Sequence, residues 1–280
     1  MLNQALIFTD LDGTLLDHHS YSFAPSIPTL DKLRNSQIPI IPNTSKTFAE
    51  LEQIRQEIGL NGPFIVENGA AVYIPIEYFA TQPQGTIEHN GYWVKEFTQP
   101  RSEWVALLDK AKKTFIGEFE HFTSMTVNQI SAVTGLSVHQ ANLANTREYG
   151  EPVLWLSSQA SKALFIDALK ELGAHPLQGG RFLHVSGDCN KGQALLWLKE
   201  QYVQQRELPA ISIALGDGQN DIAMLEAANI AVRILSPVNP PPILNKQKYV
   251  YTSKEYGPKG WATCLQDIIY NQENSLKVQR

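Results

Sequence analysis

Two aspartates in Asp10-Leu11-Asp12-Gly13-Thr14 follow directly on the apolar run Ala5-Leu6-Ile7-Phe8. Such a run reads as a strand buried on both faces, which a parallel sheet with helices on either side provides. The carboxyl end of that strand is where open α/β sheets keep their ligands. Alternate residues there can aim two carboxylates at one point, while Gly13 lets the backbone turn away. The pair could hold a hard cation and present one carboxylate as a nucleophile. A solvated Asp-rich turn is the simpler reading of the same five residues. A calcium loop is excluded by spacing: counted from Asp10, the positions that need Gly and Glu are Leu15 and Tyr21, and counted from Asp217 they are Ile222 and Ala228.

The rest of the chain sets the context for that strand. Ser26 to Ser36 has helical spacing, with Pro28 tolerated in a first turn, and Ile38 to Ile41 reads as a second strand ending at Asn43-Thr44-Ser45-Lys46. Phe48, Leu51, Ile54 and Ile58 predict a helix capped by Gly59, and Phe64-Ile65-Val66 a third strand running into Glu67-Asn68-Gly69-Ala70. Ile211 to Leu215, Asp221 to Ala228 and Ile230 to Val232 resume the strand and helix alternation. Between them the texture is more polar and alternating, with helices expected over Glu103 to Phe115 and Ser161 to Leu172 and strands over Val153 to Leu156 and Phe182 to Val185. The expected fold is therefore α/β, a doubly wound, mostly parallel, Rossmann-like core from residues 1–83 and 189–280, with an inserted α/β (α+β) cap domain at 84–188. The polar stretch from Gln272 onward is expected to fray.

A net charge of −5 without a Lys/Arg run gives no footprint for nucleic acid, and no stretch approaches the length of a membrane span. Two cysteines, Cys189 and Cys264, are too few for a disulfide framework and lack zinc-site spacing, so a reducing cytoplasm is the expected compartment. The N-terminal apolar run is broken by Asp10 and Asp12 and is not read as a secretory signal. An anionic substrate would have to be met by local positive charge.

Three further segments supply complementary groups. Thr44 brings a hydroxyl, Lys191 an ammonium at the start of a helix, and Gly216-Asp217-Gly218-Gln219-Asn220-Asp221 carboxylates and an amide. Around one sheet edge, these converge on a phosphate and a divalent cation. The chemistry of phosphoryl transfer asks for such groups: in-line positioning, fixed positive charge, and a proton donor for the leaving alkoxide.

In order and spacing these four segments resemble the motifs of the haloacid dehalogenase-like phosphatases. Ser45-Lys46-Thr47, Glu67-Asn68-Gly69-Ala70, Arg147 to Pro152, Gly179 to His184 and Gly257-Pro258-Lys259-Gly260-Trp261 are further similar to the mannosyl-3-phosphoglycerate phosphatase branch, whose large α/β cap lies between the second and third motifs. The resemblance implies Asp10 as nucleophile and Asp12 as general acid/base. It implies magnesium held by the Asp10 side chain, the Asp12 backbone carbonyl and Asp217, with Asp221 close behind, and phosphate held by Thr44 and Lys191 with Asn220 near the phosphate or orienting Lys191. The implied substrate is a small sugar phosphate: a mannosyl phosphoglycerate first, then a glucosyl one or sucrose phosphate.

Simpler roles exist for several of these residues. Thr44 could cap the helix that follows, Lys191 could face solvent, and Asp221 could be a first-turn acid on a helix dipole. Arg147 and Arg181 are candidates for the substrate carboxylate, and Arg147 could equally form surface ion pairs with Glu148 and Glu151. Lys46 is expected at the phosphate rim, and His184 in packing. A catalytically silent phosphate-binding regulator is the alternative from another class, disfavoured because it would need no acid/base beside a nucleophile.

Overall fold

The computed structural model describes residues 4–179, 181–207, 209–245 and 249–271; the polar stretch from Gln272 and the Gly180 of the Gly179 to His184 segment lie outside them. The chain opens with β1 (Ala5–Thr9), α1 (Ile27–Asn35), β2 (Ile40–Pro42), α2 (Phe48–Ile58) and β3 (Phe64–Val66), followed by β4 (Ala71–Pro75), β5 (Ile87–His89) and β6 (Tyr92–Glu96). The middle holds α3 (Arg101–Ala111), β7 (Phe119–His121), α4 (Val127–Thr134), α5 (Val138–Asn145), β8 (Glu151–Trp155), α6 (Gln159–Glu171), β9 (Leu177–Gln178) and β10 (Leu183–Val185). The last third returns with α7 (Lys191–Arg206), β11 (Ile211–Gly216), α8 (Ile222–Ala227), β12 (Ile230–Leu235), β13 (Val250–Tyr256) and α9 (Gly257–Leu265).

The central sheet is parallel throughout, in the order β13-β12-β11-β1-β2. Its strand residues divide by parity. Ala5, Ile7, Ile213 and Leu215 join a cluster with Leu30, Leu33, Leu51 and Trp261 of α1, α2 and α9. Leu6, Phe8 and Ala214 join a second cluster with Leu195, Leu198 and Met224 of α7 and α8. Because strand side chains alternate faces, this partition is the signature of a sheet covered on both sides. The uninterrupted apolar run of β1 follows from it.

Two antiparallel sheets complete the molecule. One, β3-β4-β6-β5, continues from the core through an isolated bridge between Asn43 and Ile65, and its Trp93 and Val94 are buried in the core clusters. Residues 87–96, which the change of sequence texture assigns to the insert, thus pair and pack with the core. Texture reads polarity, and β5 is an exposed edge whose side chains look like those of a surface module. The other sheet, β7-β8-β10-β9, carries α3 and α6 on one face through Leu108, Val153, Phe165 and Val185. Phe182 and Leu154 pack instead against Ile130 and Ala141 of the α4-α5 pair, which the sequence reading did not resolve.

Candidate active site

The ends of β1, β2 and β11 and the start of α7 meet at one point. Asp10 is fixed as β1 runs out, its amide donating to the Leu215 carbonyl at 2.9 Å. The turn after it is closed by Gly13 N–H to Leu16 O at 2.9 Å and Leu16 N–H to Leu11 O at 2.8 Å. Gly13 sits at φ +77°, and a Cβ there would stand 2.7 Å from Asp217 Oδ2. Glycine is required on both counts, conformation and close approach.

Lys191 is fully buried and its Nζ lies 2.6 Å from both Asp10 Oδ1 and Asp221 Oδ1. A solvent-facing role is thereby excluded. Its helix starts where predicted because the Asn190 side chain caps the Gly192 and Gln193 amides at 3.0 Å. The Asn43 amide holds the Lys191 carbonyl at 2.9 Å. Gly69, at φ +92°, admits the Asn190 carbonyl where any Cβ would stand 2.2 Å away.

Asp221 has both oxygens engaged: Oδ2 accepts the Asp217 and Gly218 amides at 3.0 and 2.9 Å, and Oδ1 faces Lys191. It shapes the loop that carries Asp217, whose own carboxylate has the Thr14 hydroxyl at 3.4 Å. Burial and the neighbouring Asp221 push the Asp217 carboxyl up to about 6. Burial also raises Asp10; Lys191 opposes this, and Asp221, Asp217 and Asp12 reinforce it. Asp10, Asp217 and Asp221 each offer an oxygen within 4.8 Å of the others. Three buried carboxylates against the one ammonium in contact with them, that of Lys191, leave an excess of negative charge. A divalent cation fits that donor set and that charge.

Thr44 is buried, its carbonyl taking the Asn68 amide at 2.8 Å and its hydroxyl the Lys46 amide at 3.2 Å. It is not the helix cap: α2 is capped by Thr47, in a reciprocal pair with Glu50. Asn220 does not reach Lys191 and donates to Asn68 Oδ1 at 3.1 Å. Lys46, also buried, places Nζ 2.9 Å from Asp12 Oδ2 and 5.2 Å from the centre of the Tyr21 ring. Burial lowers the Lys46 ammonium, but Asp12 and Glu50 outweigh it and hold the group above its ordinary range.

The arginines sit differently from expectation. Arg147 does not pair with its sequence neighbours: its Nε lies 3.2 Å from Glu67 Oε2 and its guanidinium donates to the Ser45 carbonyl at 2.9 Å. Glu151 is taken by Arg101 and His121, and Glu148 by the Tyr73 hydroxyl. Arg181 is exposed and donates to the Val133 carbonyl, tying the β9-β10 hairpin to α4. His184 lies on the sheet face opposite Leu183 and Val185, and burial, aided by Arg147 and Lys191, pushes its imidazole down to about 3. Its ring lies against Gly179, where an added Cβ would stand 2.7 Å from Nε2.

Sequence reasoning quoted Glu67 within a motif and gave it no role of its own. This buried carboxylate accepts the amides of Glu148, Tyr149 and Gly150 at 2.8, 3.3 and 2.8 Å, and it receives Arg147 as well. It fastens the insert to the loop beside Asn68. Thr9 was passed over too; its hydroxyl takes the Trp261 indole at 3.0 Å and bonds the Asp10 carbonyl at 2.7 Å.

The family model described as haloacid dehalogenase-like hydrolase matches residues 7–123. A protein of Methanococcoides burtonii named glucosyl-3-phosphoglycerate/mannosyl-3-phosphoglycerate phosphatase is 36% identical over 272 residues, 96% of this chain and 98% of the relative. A protein of the same name from Persephonella marina is also 36% identical, over 94% of this chain and 97% of its own. The solved structure of a phosphatase of the haloalkanoate enzyme superfamily from Bacteroides thetaiotaomicron superposes with a TM-score of 0.66 at 18% identity, covering 94% of each chain. That last likeness concerns the fold. No helix among the described residues is long and apolar enough to cross a membrane.

Proposed function

This chain belongs to the haloacid dehalogenase-like phosphatases, and from that membership we propose that it hydrolyses a hexosyl-3-phosphoglycerate, glucosyl or mannosyl, to the hexosylglycerate and inorganic phosphate. The observation that carries the substrate is the 36% identity, over matches that cover nearly the whole chain, to relatives named for both sugars. We take the specificity-bearing insert to begin after Phe97 and to end near Asp188.

In this reading Asp10 attacks phosphorus and forms an aspartyl phosphate as the ester P–O bond breaks. Asp12 delivers a proton to the departing alkoxide. It then takes a proton from the water that attacks the aspartyl phosphate, freeing phosphate and restoring Asp10. Lys191 and Thr44 hold the phosphoryl oxygens, while Asn68 and Asn220 brace the loops on which they sit. Magnesium, held by Asp10 and Asp217 with the Asp12 carbonyl, would offset the repulsion between a carboxylate and a phosphate. Asp221 fits better behind the metal than on it, since Lys191 and two amides already occupy its oxygens.

The charge excess predicts a pH-dependent response to the ion. An Asp217 carboxyl raised by folding means that the metal-free folded protein binds more protons than the unfolded chain between about pH 4 and 6. Metal-free stability therefore falls as pH rises through that window, and magnesium, which needs the ionised carboxylates, restores it. Thermal melts with and without magnesium should show a larger gain in Tm at neutral pH than near pH 5. Equal gains would count against the metal assignment.

The substrate is tested by phosphate release from glucosyl- and mannosyl-3-phosphoglycerate, 3-phosphoglycerate, sucrose 6-phosphate and p-nitrophenyl phosphate. Either hexosyl phosphoglycerate should exceed the others in kcat/KM by roughly 100-fold or more, as desolvated polar contacts to a complete substrate allow. A preference for sucrose phosphate would overturn the substrate and leave the chemistry standing.

A further inference from the structure

Gly257-Pro258-Lys259-Gly260-Trp261 opens α9, on the face of the central sheet opposite α7. Proline suits a first helical turn, and the Ser26 hydroxyl holds the Pro258 carbonyl at 3.1 Å. Gly260 lets the helix press against β13: a Cβ there would stand 2.2 Å from the Glu255 carbonyl oxygen and 2.8 Å from Ser253 Cβ. This seating brings Trp261, fully buried, to the end of β1. Its indole donates to the Thr9 hydroxyl at 3.0 Å, and that hydroxyl donates to the Asp10 carbonyl at 2.7 Å.

The members of this chain of bonds fix its direction. An indole nitrogen only donates and a carbonyl only accepts, so the one hydroxyl hydrogen of Thr9 is committed to Asp10. Thr9 is fully buried, where an unmade bond is costly, and the Asp10-Leu11 peptide is thereby held in one orientation. That peptide is trans, so its N–H points away from its carbonyl. Thr9 faces α9, and Asp10, one residue on, faces the other side of the sheet, where Lys191 meets its carboxylate at 2.6 Å. Drawing the carbonyl toward Thr9 turns the Leu11 amide toward the side of the nucleophile. Among the described residues no acceptor meets that amide, and a fixed N–H in such a place stabilises charge on a transferring group.

Resting on the reading of Asp10 as the nucleophile of a phosphatase, we infer that Trp261 and Thr9 are positioning residues for the reaction. Their relay sets the peptide after Asp10 so that the carboxylate meets phosphorus in line and the Leu11 amide faces a phosphoryl oxygen. The relay touches no part of the leaving group, so it serves every ester alike.

The test uses the full-length enzyme with magnesium on p-nitrophenyl phosphate and on mannosyl-3-phosphoglycerate. Thr9→Val keeps the shape and removes the hydroxyl; it should lower kcat roughly 30-fold on both esters with KM within about twofold, since a small misplacement of the attacking group costs turnover. Thr9→Ser should recover most of that loss. Trp261→Phe, which removes the N–H and keeps a ring, should cost kcat on the order of 5-fold. The double variant should turn over no more slowly than Thr9→Val, because the indole acts only through the hydroxyl. Thermal melts record the structural cost separately: residues that only pack would lower Tm and leave the kcat of the folded protein unchanged. Wild-type kcat in Thr9→Val, equal losses in the Ser and Val variants, or multiplying losses in the double variant would overturn the relay. If Thr9→Val does not fold, Trp261→Phe decides: a lowered kcat at unchanged KM supports the relay, and a wild-type kcat overturns it. A wild type active on p-nitrophenyl phosphate and not on the hexosyl ester defeats the substrate reading alone, and the relay is then judged on p-nitrophenyl phosphate. A wild type that hydrolyses neither ester overturns both.

Discussion

Asp10→Asn is expected to lower kcat by at least about 10⁴-fold, because an amide oxygen is a very poor nucleophile toward phosphorus and no other carboxylate is placed to replace it. Asp217 is held against Gly13, Asp221 is bonded to Lys191 and two amides, and Asp12 faces Lys46. The same substitution should not harm the fold. It removes one charge from a cluster where burial and three neighbouring carboxylates already disfavour the Asp10 anion, while Lys191 keeps Asp221 as a partner. Metal-free Asp10→Asn should therefore melt no lower than wild type, and a marked loss of Tm would contradict the charge accounting. Loss of turnover with retained or raised Tm separates a nucleophile from a structural residue.

Lys191→Met should fail in the opposite way, losing both activity and stability. Its ammonium is fully buried between Asp10 and Asp221, and burial lowers its basicity less than those two carboxylates raise it. Removing one partner from a buried ionic cluster costs about 3–5 kcal/mol because the remaining charges are left unpaired. In a chain of this size that corresponds to a fall in Tm on the order of 10 °C. Magnesium should recover part of the lost stability by neutralising the same carboxylates, and little of the activity, since the phosphoryl oxygens have lost their fixed cation. Differential scanning calorimetry with and without magnesium, beside steady-state rates, measures both parts.

What could be read in the sequence follows the range of the forces involved. Asp10, Asp217 and Lys191 were legible because each ends or begins an element whose apolar pattern is local, and parallel strands bring such ends to one edge. Gly59 as a helix cap was legible for the same reason, and it takes φ +77°. The partners of Arg147 were not. Sequence proximity suggested Glu148 and Glu151, but a strand and a turn point those carboxylates toward Arg101, His121 and Tyr73, leaving Arg147 to Glu67 across the boundary between insert and core. Glu67 itself serves backbone amides 81 to 83 positions away, and an amide carries no residue identity for a sequence to display. The β5-β6 hairpin was assigned to the insert because its edge strand is polar, whereas its pairing with β4 is decided by backbone hydrogen bonds. Thr47 in place of Thr44 as the cap of α2 turned on a reciprocal bond with Glu50 three residues on, a pattern present in the sequence and overlooked.

The most direct measurement is rapid mixing of the wild-type enzyme with mannosyl-3-phosphoglycerate labelled in the phosphate, in the presence of magnesium, followed by an acid quench and peptide mapping. A covalently bound phosphate should appear within one turnover on the peptide containing Asp10, should be labile to hydroxylamine as an acyl phosphate is, and should be absent from Asp10→Asn. Label on another residue, or full single-turnover phosphate release with no covalent label at any quench time, would contradict the assignment of Asp10 as the nucleophile.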